Sequence, residues 1–91
     1  LNVLNDNLNK LNKDKYDFVF YVAGVDIHHV DRLGKLKITD EGINKRDQIV
    51  IENFYSKNIP LCGVLGGGYN KSFDKLIELH SMLHKNCAEI I

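Results

Sequence analysis

The strongest constraint on this chain is the run Phe18-Val19-Phe20-Tyr21-Val22-Ala23, which contains no polar interruption. β-Branched and aromatic residues in such an unalternating run form a strand covered on both faces, as in a parallel sheet. The run empties directly into Gly24-Val25-Asp26-Ile27-His28-His29-Val30-Asp31-Arg32-Leu33-Gly34. In open α/β sheets, ligands collect at the carboxyl ends of the strands. Two carboxylates and two imidazoles therefore lie where a site is expected.

A second unit repeats the plan. Leu61 to Leu65 is another short apolar strand, and it empties into Gly66-Gly67-Gly68-Tyr69-Asn70. Between the strands, Thr39-Asp40-Glu41 offers an N-cap followed by acids in the first turn. Ile43, Val50 and Phe54 then recur at helical spacing, predicting a helix of about eighteen residues that runs to about Lys57. Asn58-Ile59-Pro60 ends it, because the residue before a proline is pushed out of the helical region.

Ahead of the first strand, Leu1, Leu4, Leu8 and Leu11 form one apolar stripe. The spacing predicts a surface helix that ends near Lys13 and covers a sheet face, with Asp14 to Asp17 as the connection. Behind the second strand, Ser72 caps a last helix, where Phe73, Leu76, Ile77, His80, Leu83, His84 and Cys87 share a face as far as about Asn86. Helix, strand, helix, strand, helix implies parallel strands joined by right-handed crossovers. Both loops then open on one edge of the sheet.

At 91 residues the chain is one small domain at most, a size that buries only about 60% of the extended surface. Twelve basic residues balance twelve acidic ones, which gives no field for steering to nucleic acid or to an anionic membrane. No apolar run approaches the roughly 20 residues that span a bilayer, and no signal peptide opens the sequence. Cys62 and Cys87 lack Cys-x-x-Cys spacing, so neither a redox pair nor a thiolate zinc site is expected, and two reduced cysteines suit the cytoplasm. The first residue is Leu1, and two strands cannot bury each other on all sides. The expectation is that residues 1–91 form the carboxyl-terminal segment of a larger domain.

Two places could carry chemistry. Glycine tolerates positive φ and allows close backbone approach, and the three glycines frame Tyr69, a neutral phenol suited to donating to an oxyanion. A phosphate loop is an alternative, although neither phosphate-binding glycine motif fits, and a tight turn with a packed tyrosine also remains open. Asp26, His28, His29 and Asp31 are ligand types that zinc accepts. Adjacent His28 and His29 are expected to point in different directions, and a loop acid serves equally as a turn cap. His80 and His84 lie on an apolar stripe, which favours core or interface histidines over metal ligands.

From Asp17 to Tyr69 the chain resembles the carboxyl-terminal third of the zinc-dependent histone deacetylase family, which includes acetoin-utilisation proteins and acetylpolyamine amidohydrolases. The matching residues, in order, are Ala23 to Gly34, Leu36, Thr39, Gly42, Lys45-Arg46-Asp47 and Gly66-Gly67-Gly68-Tyr69. Asp31-Arg32-Leu33-Gly34 and Lys45-Arg46-Asp47 are most similar to the class IV branch and its bacterial relatives. The resemblance implies the three-layer α/β/α fold of arginases and deacetylases, with Asp31 as a zinc ligand and Asp26 as an acid that supports the loop.

It further implies that Tyr69 binds the carbonyl oxygen as it becomes an oxyanion and that Gly67 and Gly68 line the acyl channel, while His28 is no ligand. The activity implied is zinc-assisted hydrolysis of an acylated amine, either acetyl-lysine or a small molecule. The base and the other ligands belong to the amino-terminal two thirds of such a domain, so the 91 residues alone are expected to be inactive. A non-catalytic truncated remnant and a small α/β phosphate-binding module are the alternatives.

Overall fold

The computed structural model describes residues 1–11, 16–31, 34 and 36–90. The expected helix end near Lys13, the connecting Asp14 and Lys15, and Arg32 and Leu33 of the loop lie outside them. The elements are α1 (Asn2–Lys10), β1 (Val19–Ala23), α2 (Asp40–Ser56), β2 (Leu61–Leu65) and α3 (Phe73–Ile90), in the order expected. The strands pair in parallel, with Val19 beside Leu61 and Ala23 beside Leu65, so both exit loops do open on one edge.

Local chemistry explains the helix bounds. The Thr39 hydroxyl accepts from the Gly42 N–H at 3.0 Å and caps α2, and the Ser72 hydroxyl accepts from the Lys75 N–H at 3.2 Å at the start of α3. The end of α2 is more specific than a proline stop. Asn58 adopts φ 57°, the Ile59 N–H donates to the Phe54 carbonyl and the Asn58 N–H to the Tyr55 carbonyl. This is a Schellman motif, completed by burial of Ile59 with Phe54.

The register sorts the sheet into two unlike faces. Tyr21 and Leu61 pack on the buried cluster Ala23, Ile51 and Leu83, while Val19 packs with Leu8, Val50, Phe54 and Ile59. α1 packs against α2, with Leu8 as its buried residue. The opposite face carries Phe20 at 71% and Val22 at 65% exposure, with Phe18 and Val64 beside them. The double coverage expected of β1 is therefore absent: the apolar run supplies two faces that could be buried, and among the described residues only one has a helix against it. The fold is α/β with a parallel sheet, and two of the expected three layers are present.

Candidate active site

The two exit loops are tied to each other where the strands end. The Val25 N–H donates to the Gly67 carbonyl at 2.6 Å, extending the parallel ladder beyond β1. Asp31 makes the second tie: its Oδ2 accepts from the Tyr69 N–H at 2.6 Å and its Oδ1 from the Gly34 N–H at 2.9 Å. One carboxylate thus bridges its own loop and the glycine loop, and orients the backbone of the tyrosine.

Asp26 is used differently. Its carboxylate lies between the two glycine segments, so that a Cβ on Gly24 would stand 3.1 Å from Oδ1 and one on Gly67 would stand 2.9 Å from Oδ2. Either methyl group would press on that carboxylate. The same Cβ on Gly67 would be 3.4 Å from Cε2 of the Tyr69 ring, so Gly67 is the point where Asp26 and Tyr69 come together. Tyr69 is 41% exposed. None of the glycines has positive φ. The expected conformational role of the glycine run is therefore corrected to a steric one, in which absent side chains make room for a carboxylate and a phenol ring.

A polar network from α2 supports the start of the first loop. The Arg46 guanidinium donates to the Gly24 carbonyl and, through Nε and Nη2, to Oδ1 of Asp47 at 3.1 and 3.0 Å. Asp47 is 1% exposed and also accepts from the Tyr21 hydroxyl. Burial, followed by that bond to Asp47, holds the Tyr21 phenol well above its usual pKa, so it remains a donor. The sequence contained a signal for this network: Asp47 falls on the apolar stripe of Ile43, Val50 and Phe54, and a buried acid requires partners.

The histidines depart from expectation. The rings of His28 and His29 are neighbours, with centroids 4.4 Å apart. His28 is buried, with Nε2 against Oδ1 of Asp40, and the Lys75 ammonium takes the other oxygen of Asp40. His80 lies under the glycine loop, its Nε2 being 3.1 Å from where a Cβ on Gly68 would stand. Burial first, and then the nearby Arg46 charge, lowers its pKa. His84 is exposed, and among the described residues no third ligand joins His80 and His84.

The arrangement can present a carboxylate and a phenol to one point at the carboxyl edge of a parallel sheet. Among the described residues, no hydrogen bond engages the Asp26 side chain, so both its oxygens can accept from a ligand or a cation, whereas both oxygens of Asp31 already serve backbone N–H groups. A carboxylate with both oxygens open is a ligand type that a metal ion accepts, and among the described residues Asp26 belongs to no group of three such side chains. The histone deacetylase domain family matches residues 2–83. Over 80 residues, 88% of this chain, the sequence is 41% identical to an uncharacterised protein of Picosynechococcus, and over 61 residues, 67% of this chain, it is 46% identical to histone deacetylase 2 of Arabidopsis thaliana. The chain spans 27% and 16% of the lengths of those two relatives.

Proposed function

Because this chain belongs to the histone deacetylase family, we propose that it forms one wall of the active site of a zinc-dependent amidohydrolase that removes acyl groups from amines. The reading includes the three-layer α/β/α domain, with residues 1–91 as its carboxyl-terminal segment, completed by parts of the domain that this chain does not span. The observation that carries it is the meeting of Asp26 and Tyr69 at Gly67. Acetyl-lysine in a protein and an acylated small amine both suit the chemistry.

Within this reading the metal role moves from Asp31 to Asp26. Asp26 offers both oxygens at the strand end, and Asp31 spends its oxygens on the Gly34 and Tyr69 N–H groups, which makes it the brace of the loop. A zinc ion held partly by Asp26 would supply Lewis acidity toward the acyl carbonyl. Tyr69 donates its phenolic proton in a hydrogen bond to the carbonyl oxygen, and the bond strengthens as charge develops there. Gly67 and Gly68 leave a channel wall without side chains for the acyl group. Water adds to the carbonyl carbon, the C–N bond breaks, and the amine leaves with a proton.

The test compares two substitutions in the full protein. Asp26→Asn should lower zinc content and deacylation together, with partial rescue by added metal. Asp31→Asn should leave the zinc stoichiometry closer to that of the parent while lowering thermal stability. If Asp31→Asn empties the metal site and Asp26→Asn does not, the assignment reverts to Asp31.

A further inference from the structure

Beyond the Asp26 cradle, His28, His29 and Asp40 form a separate group of ligand-type side chains, with one donor atom of each within 4.8 Å of the others. The backbone brings them together. His28 and Ile38 form a parallel bridge, in which the His29 N–H donates to the Ile38 carbonyl and the Ile38 N–H to the Ile27 carbonyl, both at 2.9 Å. That bridge brings the first residue of α2, Asp40, against the imidazoles. Val30, Thr39, Glu41 and Lys75 complete the walls of an open cavity around them.

We propose that this cavity binds a divalent transition-metal ion of borderline softness, such as zinc, on His28, His29 and Asp40, with the Lys75 ammonium as the cation that competes for Asp40. The proposal uses none of the residues assigned above to acyl transfer and does not depend on that reading.

Two imidazoles and a carboxylate are a donor set that zinc accepts. A tetrahedral ion with bonds of about 2.0–2.1 Å spaces its donors roughly 3.3 Å apart, and the side chains can close to that spacing because His29 is exposed and Asp40 partly so. A second observation comes from His28 itself. Its ring is 1% exposed, Nε2 meets Asp40, and among the described residues Nδ1 is buried without a hydrogen-bond partner. A buried imidazole ordinarily satisfies both nitrogens, so this ring has a ligand atom to spare.

The competition with Lys75 follows from the ion pairs. Asp40 holds both His28 and Lys75, and the bond from Lys75, followed by that from His28, keeps its carboxyl below the usual range, so it is an anion ready to ligate. Lys75 is also 3.5 Å from Oε2 of Glu78, an acid one turn along α3. An incoming ion at Asp40 therefore leaves Lys75 a carboxylate to turn to. Binding would clamp the loop that carries Asp26 and Asp31 onto the first turn of α2.

The experiment is a titration of the demetallated full chain with Co²⁺, followed by the visible d–d absorption of tetrahedral cobalt, in the parent and in Asp26→Asn. Asp26→Asn should still take up an equivalent of Co²⁺. His29→Ala or Asp40→Asn in that background should weaken this uptake by at least about tenfold. Lys75→Met should tighten it by about tenfold, since it removes a competing positive charge beside the ion. Far-ultraviolet circular dichroism confirms that each variant is folded, and both His29 and Lys75 have enough exposure to be exchanged without opening the core. Uptake indifferent to His29→Ala and Asp40→Asn overturns the site, as does Lys75→Met that leaves affinity unchanged or weakens it. Loss of all binding in Asp26→Asn also overturns it and leaves only the ion at Asp26, whereas a second equivalent retained there, with activity lost, separates the two sites.

Discussion

The two edges of the sheet are held by different forces. Where β1 and β2 begin, Leu8, Val50, Phe54 and Ile59 form a cluster with Val19 and Leu61, and the chain enters β2 through the Schellman turn at Asn58. Where the strands end, shape depends on carboxylates and glycines: Asp31 on the Tyr69 N–H, Asp47 beneath Arg46, and Asp26 in the gap left by Gly24 and Gly67. Apolar contact is non-directional and tolerates repacking, while carboxylate–N–H geometry fixes atoms to within a few tenths of an ångström. An edge built in the second way is suited to hold reacting groups, and the first supplies stability to carry it.

That contrast breaks if substitutions at the two edges act alike. Phe54→Ala should have the largest effect, a loss of about 3–5 kcal/mol read by chemical denaturation, because the ring is buried and also closes the helix cap. Tyr69→Phe should act oppositely, with stability near that of the parent and kcat for deacylation in the full protein lower by about 10²- to 10³-fold. The effect on KM should be smaller, since the bond to the oxyanion is made mainly in the transition state. A Tyr69→Phe protein with unchanged kcat would remove the phenol from the reaction.

Smaller effects sharpen the comparison. Asn58 already holds a β-carbon in the left-handed region, so Asn58→Ala loses only the short polar side chain that makes this conformation tolerable and should cost about 1 kcal/mol, whereas Asn58→Gly removes the β-carbon and should cost little. The weakest effect is a pH dependence at the polar edge. The folded pKa of His80 lies below its ordinary 6.5, through burial and then the Arg46 charge, so the unfolded chain binds a proton first as pH falls. Stability from this group is present above about pH 6.5 and lost progressively below it. His80→Gln should flatten the thermal midpoint between pH 7 and pH 5, and an unchanged slope would show that the imidazole does not sense its burial.

The elements were legible in the sequence because their signals are local. Non-alternating runs, a Thr39 cap and stripes at helical spacing need only a few neighbouring residues, and β2 spans the expected Leu61–Leu65. The end of α2 was legible in position but not in cause, since the proline is visible and the left-handed Asn58 is not. The end of α3 at Ile90 rather than about Asn86 was also missed, although the apolar stripe runs on from Leu83 through Cys87 to Ile90, and the last two pack on the Ala23, Ile51 and Leu83 cluster. The bare sheet face was hidden for another reason: hydrophobicity reports what a strand can bury and carries no information about what lies over it.

The site was legible as a place and not as an assignment of roles. Asp26 and Asp31 are the same residue type in the same loop, and only the N–H groups of Gly34 and Tyr69 distinguish the brace from the open carboxylate. Asp40 and Lys75 are 35 residues apart, so no local pattern announces their pairing. The adjacency of the His28 and His29 rings depends on the bridge to Ile38, which sequence spacing does not encode.

The bond from the Tyr69 N–H to Asp31 closes a loop of 38 residues that contains the whole of α2. Contacts so distant along the chain form slowly, because the entropy of closing the loop is lost before the contact returns any energy. α2 can nucleate early from its own cap and stripe, but the phenol and the carboxylates meet only after β2 has docked beside β1. The pairing of the two exit loops is thus the last feature this chain assembles, and a defect in strand docking would appear as helical protein with its loops apart before it appeared as loss of secondary structure.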